Sequence, residues 1–379
     1  MFKNKSQYLL NLNDGFKQDG GTNIQNIQNI LDEDLDYYSF IGIQPNIMSG
    51  GNINNIGGNN SQSKNKNKNV FIASNNIEIN QCGEPFKIIN NITHDNKCAP
   101  GKVFSHGSCI RLPVLVEMAK SYNKEFPNNQ IEIDETLNEA LLKQYLVKEF
   151  ENRLKNDCDD QQTCWKKEKF TQNMGSVLKK ELDSHTFRPE GPQGQFTWLN
   201  TSNIDQTMKQ YQIAHPEFHF MGTVPVDFDD LPYYKIKKFN FKNLTDKGIY
   251  KIGMIYNLDE HYKTGSHWVA FYSDFKNGEC NFFDSYGHSP DSRIDVFIKR
   301  VGKFIKNHTG KDPIYNIART QHQKGGSECG VYSMSFILRQ LHGESFDSID
   351  NTRIDDKSIN ICRNSYFVLN DNLKKTLSK

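Results

Sequence analysis

No apolar run in this 379-residue chain approaches the roughly 18 consecutive residues that a membrane-spanning helix needs. The opening, MFKNKSQYLLNLNDGF, is interrupted by polar residues and lacks the unbroken apolar stretch of a secretory leader. The sequence therefore predicts an intracellular protein with no membrane role. Surplus charge is missing as well. With 46 basic and 45 acidic residues the net charge is +1, which gives no overall field to draw in nucleic acid or anionic lipid. Eight cysteines, at 82, 98, 109, 158, 164, 280, 329 and 362, include no CxxC pair, so neither a small disulfide scaffold nor an ordinary zinc module is indicated. Cys98, His106 and Cys109 come nearest to metal spacing, but no fourth ligand is in view, and no metal is expected.

What is present is enough for a real core: 36% hydrophobic and 12% aromatic residues, over a length that suits about two domains. Three textures follow one another. Residues 1–75 contain GGNINNIGGNNSQSKNKNKN (51–70), a tract too polar to offset the entropy of ordering it, and this N-terminal segment is expected to be a largely disordered linker. Residues 76–186 read as a helical arm, with helices predicted over 112–126, 134–154 and about 163–183; in the second, Leu142, Leu146, Phe150 and Leu154 fall four apart on one face. From 187 to 379 short aromatic segments alternate with turns. Strands are predicted at 251–258, 267–275, 279–286 and 312–318, a helix at 289–307, and another helix after Asn200 or Ser202. The order strand, strand, strand, helix, strand, helix describes an α+β core in which a mixed sheet packs on helices.

The chemistry centres on QHQKGGSECGVYSMSFILRQLHG (321–343). Val331, Met334, Leu338 and Leu341 recur at steps of three and four, which places Cys329 at the start of a helix that Gly343 ends. Unpaired N–H groups and aligned peptide dipoles at a helix start favour a thiolate, and should draw the thiol below its free pKa of about 8.5. Gly325 and Gly326, without Cβ atoms, let the main chain bend and a substrate carbonyl approach. A cysteine on a helix is also a common small core residue, so the reading requires a base.

His267, followed by Trp268, opens one predicted strand, and Asp284 ends the next. A two-residue Asn277-Gly278 hairpin loop would set His267 opposite His288 and leave Asp284 too far along its strand. A five-residue loop, Asp274 to Gly278, sets Ser273 opposite Glu279 and His267 opposite Ser285, and brings Asp284 beside His267; this longer loop is the one expected. Gln323, six residues before Cys329, can offer its amide N–H groups, with the backbone N–H of Cys329, to an oxyanion.

These segments, SHW (266–268), FFDSYG (282–287) and QKGGSECGVYSM (323–334), resemble the cysteine proteases that process ubiquitin-like proteins; WLN (198–200) is similar to that family's Trp-Leu-Asn segment at the substrate cleft. The helical N-terminal region and CAPGKVFSHGSC (98–109) look most like the polyprotein-processing thiol proteases of large cytoplasmic DNA viruses, the asfarvirus and giant-virus branch related to adenovirus-type proteases. The resemblance implies an adenovirus-protease/ubiquitin-like-protease core. In it Cys329 is the nucleophile, His267 the general base and then acid, Asp284 the orienting acid and Gln323 the oxyanion donor, while Trp268 and Trp198 wall a narrow cleft. Glu328 stands where relatives usually carry Asp, with the charge kept. It further implies a monomeric cysteine endopeptidase without metal or organic cofactor or need of nucleic acid, cutting viral polyprotein precursors after Gly-Gly or Gly-Xaa in the host cytoplasm, with packaging in the virion a further expectation. Alternatives are a deconjugase for ubiquitin or a ubiquitin-like modifier, an acetyltransferase using the same groups, and a non-catalytic interaction protein.

Overall fold

The computed structural model describes residues 71–72, 78–85, 98–159, 161–192 and 197–368. Most of the low-complexity segment read at 1–75, including all of its Asn-rich tract, lies outside the described residues. So does the last part of the chain, after 368. No described helix is long and apolar enough to cross a membrane.

Two hydrophobic clusters organise the described residues. The first runs from Cys98 to Phe187 and is built on α1 (Leu112–Glu125) and α2 (Glu139–Arg153). Its centre is aromatic: Phe150 stacks on Phe170 at 5.9 Å and meets Trp165 at 5.6 Å. The predicted start of α2 at 134 is five residues early. Asp134 takes the N–H and hydroxyl of Thr136 into a turn, and Asn138 then caps the helix by accepting from Leu141 N–H. The single helix expected at 163–183 is broken into short 3-10, α and π turns over Gln162–His185, in keeping with its irregular apolar spacing. Beneath them Glu181 is buried, yet the Arg111 and Lys102 cations overcome the cost of desolvation and hold its carboxyl down at about 2.

The second cluster is formed on a five-stranded mixed sheet, β1 (Phe218–Pro225), β2 (Lys251–Asn257), β3 (Trp268–Asp274), β4 (Glu279–Phe283) and β5 (Ile314–Ile317), in that spatial order. The outer pairs are parallel and the two inner ones antiparallel. Helix α3 (Thr201–Ala214), capped by Asn200, precedes β1; α4 (Ser292–Thr309) joins β4 to β5; α5 (Cys329–Leu341) follows β5. Strand β3 is buried throughout because both its faces are covered. Trp268, Ala270 and Tyr272 belong to the cluster with α5, whereas Phe271 points the other way and meets Phe297 of α4 at 5.6 Å. Every residue of α5 is buried, so Cys329 is held at the tip of a rigid central helix. Strand β1 and three short helices, α6 (Phe346–Asn351), α7 (Asp356–Asn360) and α8 (Cys362–Tyr366), were not anticipated from the sequence.

The β3–β4 hairpin corrects the expected register. Asp274 pairs with Glu279 and Ser273 with Cys280, so the loop holds four residues, Phe275 to Gly278. The Asp274 carboxylate decides it by accepting from the N–H groups of Lys276 and Asn277, while Gly278 takes a φ of +80°.

Cysteine usage also departs from expectation. Three disulfides join Cys82 to Cys362, Cys98 to Cys109 and Cys158 to Cys164. The two cysteines that come nearest to metal spacing with His106 are thus bonded to each other. The absence of CxxC spacing said nothing of these pairings, because the first spans 280 residues and exists only once the chain has folded. It pins the stretch 78–85, read as part of the arm, onto the sheet cluster, where Ser335 also donates to Gln81 O at 2.7 Å. Replacing Cys362 by serine should lower stability by about 3 kcal/mol, seen as a reduced calorimetric midpoint without reductant. An unchanged midpoint would mean the bridge does not form in solution.

Candidate active site

Cys329 is the first residue of α5, 3% exposed, with the positive end of the helix dipole directed at its sulfur. Its neighbour Glu328 turns back to accept from the N–H and hydroxyl of Ser327 and from Asn360 Nδ2 at 3.1 Å. Desolvation works against that carboxylate, but these hydrogen bonds outweigh it and keep its pKa below the ordinary value. Gly325 is needed for a reason other than bending: a Cβ there would stand 2.9 Å from the fixed Glu328 Oε2.

His267 lies just ahead of β3 and Asp284 just beyond β4. His267 Nε2 is 2.7 Å from Asp284 Oδ1, with side chains 12% and 2% exposed. Cys329 lies close enough to act on the protonation of the ring, and since Nε2 faces the carboxylate, Nδ1 is the nitrogen left for the sulfur. Burial alone would push the imidazole down. The bonds to Asp284 and Cys329 overcome it and raise the His267 pKa to about 9.

The corrected register explains why the carboxylate can reach. Continuing the observed pairing beyond the strand ends sets His267 across from Tyr286, and Asp284 two residues from that position, on the same face. The expected register would have set Asp284 next to the partner of His267 and therefore on the opposite face, because a slip of one residue reverses every side chain. Gly287 then turns the chain away with a φ of +78°; a Cβ there would stand 2.5 Å from Arg319 O.

Gln323 is fully buried. Its Oε1 accepts from Ser285 Oγ at 2.7 Å and its Nε2 donates to Gly325 O at 2.9 Å, so the amide is fixed in one orientation on the loop leading to Cys329. Trp268 is 6% exposed and donates from Nε1 to Leu199 O, which anchors the segment carrying Trp198; the latter is 51% exposed. Trp268 is thus a buried support and Trp198 offers open aromatic surface.

Several residues around the site escaped the sequence reading. Asp356 of α7 accepts the N–H groups of Lys324 and Gly325, and Arg363 of α8 donates to Ser327 O, so both helices hold the loop before α5 from behind. His288 Nδ1 lies 3.2 Å from the second Asp284 oxygen. Tyr286 and Ser285 were in plain view beside Asp284 in the DSYG segment; the remote α7 and α8 carried no such signal.

Residues 197–376 match the Ulp1 protease family, C-terminal catalytic domain. The chain is 36% identical over 281 residues to “Putative thiol protease R355” of Acanthamoeba polyphaga mimivirus, covering 72% of this chain and 93% of the relative. It is 28% identical over 213 residues to the SUMO-1 cysteine protease S273R of African swine fever virus, covering 50% and 74%. The crystal structure of the African swine fever virus pS273R protease superposes with a TM-score of 0.51 at 20% identity, covering 75% of this chain and all of that one, and shares the fold. The chain belongs to the Ulp1 protease family and is a cysteine-type peptidase.

Proposed function

We propose that this peptidase is an endopeptidase that matures viral structural polyprotein precursors by cutting after Gly-Gly or Gly-Xaa, with Cys329, His267 and Asp284 as its reacting set. The observation that carries the reading is the buried His267–Asp284 pair, 2.7 Å apart, set close enough to Cys329 at the start of α5 for the two to act on each other's charge. The thiol proton passes to His267 Nδ1 and the sulfur attacks the scissile carbonyl carbon. The carbonyl oxygen becomes an oxyanion facing the backbone N–H of Cys329 and the Gln323 amide. As the C–N bond breaks, the imidazolium gives its proton to the leaving amine, and a thioester remains on Cys329. Water then loses a proton to His267 and adds to the thioester, and the thiol re-forms as the new carboxylate departs.

Trp198 beside the cleft favours small residues ahead of the scissile bond. The arm read at 76–186, apart from the 78–85 stretch held on the sheet cluster, docks the substrate while the core at 187–379 does the chemistry, as a monomer in the host cytoplasm and in the virion. Incubating the full chain with viral structural precursors and sequencing the new termini tests this; precursors left whole would reject it. A second reading, release of a ubiquitin-like modifier, is favoured by the name of the African swine fever virus relative, SUMO-1 cysteine protease. Cleavage of purified conjugates with precursors untouched would establish that reading instead.

The role given to Gln323 has its own check. Gln323→Ala should lower kcat on the order of 100-fold if its amide serves the oxyanion. An unchanged kcat would assign the oxyanion to backbone donors alone.

A further inference from the structure

Three contacts meet at Tyr286. Its ring stacks on the His267 imidazole, centroids 4.9 Å apart and planes 29° from parallel. Its backbone N–H donates to Asp284 Oδ1 at 2.9 Å. Its hydroxyl donates to Gly325 O at 2.6 Å, the same carbonyl that receives Gln323 Nε2. One residue therefore touches the imidazole, the carboxylate and the loop that carries the amide donor, and so links the end of the β3–β4 hairpin to the approach to α5. Burial, followed by the nearby Cys329, Asp356, Asp284 and Glu328, keeps the phenol a neutral donor.

We propose that Tyr286 is a positioning residue of the peptidase reaction: its ring sets the plane of His267, and its hydroxyl sets the Gly325 carbonyl and, through it, the Gln323 amide. The proposal rests on Cys329 and His267 being the reacting pair. The two halves of the side chain act at different stages. An aromatic face attracts an imidazolium more than a neutral imidazole, so the ring prolongs the protonated state of His267 that accompanies a thiolate. The groups facing that imidazole are Asp284, Cys329 and Tyr286, with His288 on the far oxygen of Asp284. The hydroxyl bears on the amide side. Gly325 O takes one N–H of the planar Gln323 amide, which fixes the direction of the other, and losing the phenol leaves that carbonyl one donor fewer.

Two substitutions and two assays separate these roles. Alkylation of Cys329 by iodoacetate, located by peptide mass and followed from pH 5 to 10, is fastest at the thiolate–imidazolium pair, whose cation draws in the reagent's carboxylate, and it forms no oxyanion. Hydrolysis of a peptide ending in Gly-Gly-aminomethylcoumarin needs both. Tyr286→Phe keeps the ring and should leave the alkylation profile as in wild type, while kcat falls roughly 10-fold at unchanged KM, the worth of about one hydrogen bond. Tyr286→Leu removes the ring too, and should move the alkaline limb of the alkylation profile down by roughly half a pH unit and lower kcat further than Phe does. Wild-type behaviour of both variants in both assays overturns the proposal, as does an equal loss of alkylation at every pH in both. If the Leu variant fails to fold, an unchanged kcat in the near-isosteric Phe variant overturns it. If the wild type does not cut this peptide, an unmoved alkaline limb in Tyr286→Leu overturns it. Failure of the underlying reading looks different: His267→Ala would then leave the alkylation profile of Cys329 unaltered.

Discussion

Replacing Cys329 by alanine, or His267 by alanine, abolishes cleavage while leaving the melting transition close to that of wild type. The sulfur is the atom that bonds to the acyl group, and no second nucleophile stands in for it: Cys280, the other free cysteine among the described residues, is buried in β4 and burial pushes its thiol up to about 12. His267 is equally irreplaceable, because it takes the thiol proton, returns it to the amine and later activates water. The fold should tolerate both changes, since Cys329 lies at the end of α5 rather than in its middle and His267 precedes β3, where its backbone carbonyl, which alanine keeps, accepts from Leu258 N–H. Turnover of a precursor or of a Gly-Gly reporter peptide, read beside a thermal melt, checks this. Residual activity in either variant above a small fraction of wild type would remove the assigned mechanism; loss of activity together with loss of the transition would report unfolding instead.

How legible this site was depended on whether its cause was local. The start of α5 was readable because the apolar stripe of Val331, Met334, Leu338 and Leu341 and the stop at Gly343 are written along one helix. The strands carrying His267 and Asp284 were readable from aromatic content. Their register was not, because it was settled by a turn in which Asp274 caps two N–H groups and shortens the loop to four residues. The error mattered physically: a one-residue slip changes which face Asp284 occupies. What holds Gln323 and the loop to Cys329 was hidden for another reason. Asp356, Asn360 and Arg363 come from segments 30 or more residues away, and contacts of that kind leave no periodic mark. The Cys82–Cys362 bridge is the extreme case, joining stretches whose sequences give no hint of each other.

Asp284→Ala should cost on the order of 10³-fold in kcat, and its pH dependence should say why. The His267 imidazolium survives to about pH 9 because the bonds to Asp284 and Cys329 outweigh burial, which is the largest single influence and acts in the opposite direction. Remove the carboxylate and burial prevails, so the proton leaves the ring at lower pH. With the wild type, cleavage should therefore persist through neutrality and decline as pH passes about 9; with the alanine variant, the decline should begin at or below neutral pH. The Asn variant sharpens the argument. Asp284→Asn keeps the shape and can still accept from the Tyr286 N–H, but supplies no charge to hold the imidazolium. It should show the same acid-shifted decline, with a smaller loss at the pH optimum than alanine because the ring keeps a partner that orients it. The comparison separates orientation from charge. If both variants decline near pH 9 like the wild type, Asp284 only orients His267; if Asn matches wild type throughout while Ala does not, the negative charge contributes nothing and the pairing matters only as a hydrogen bond.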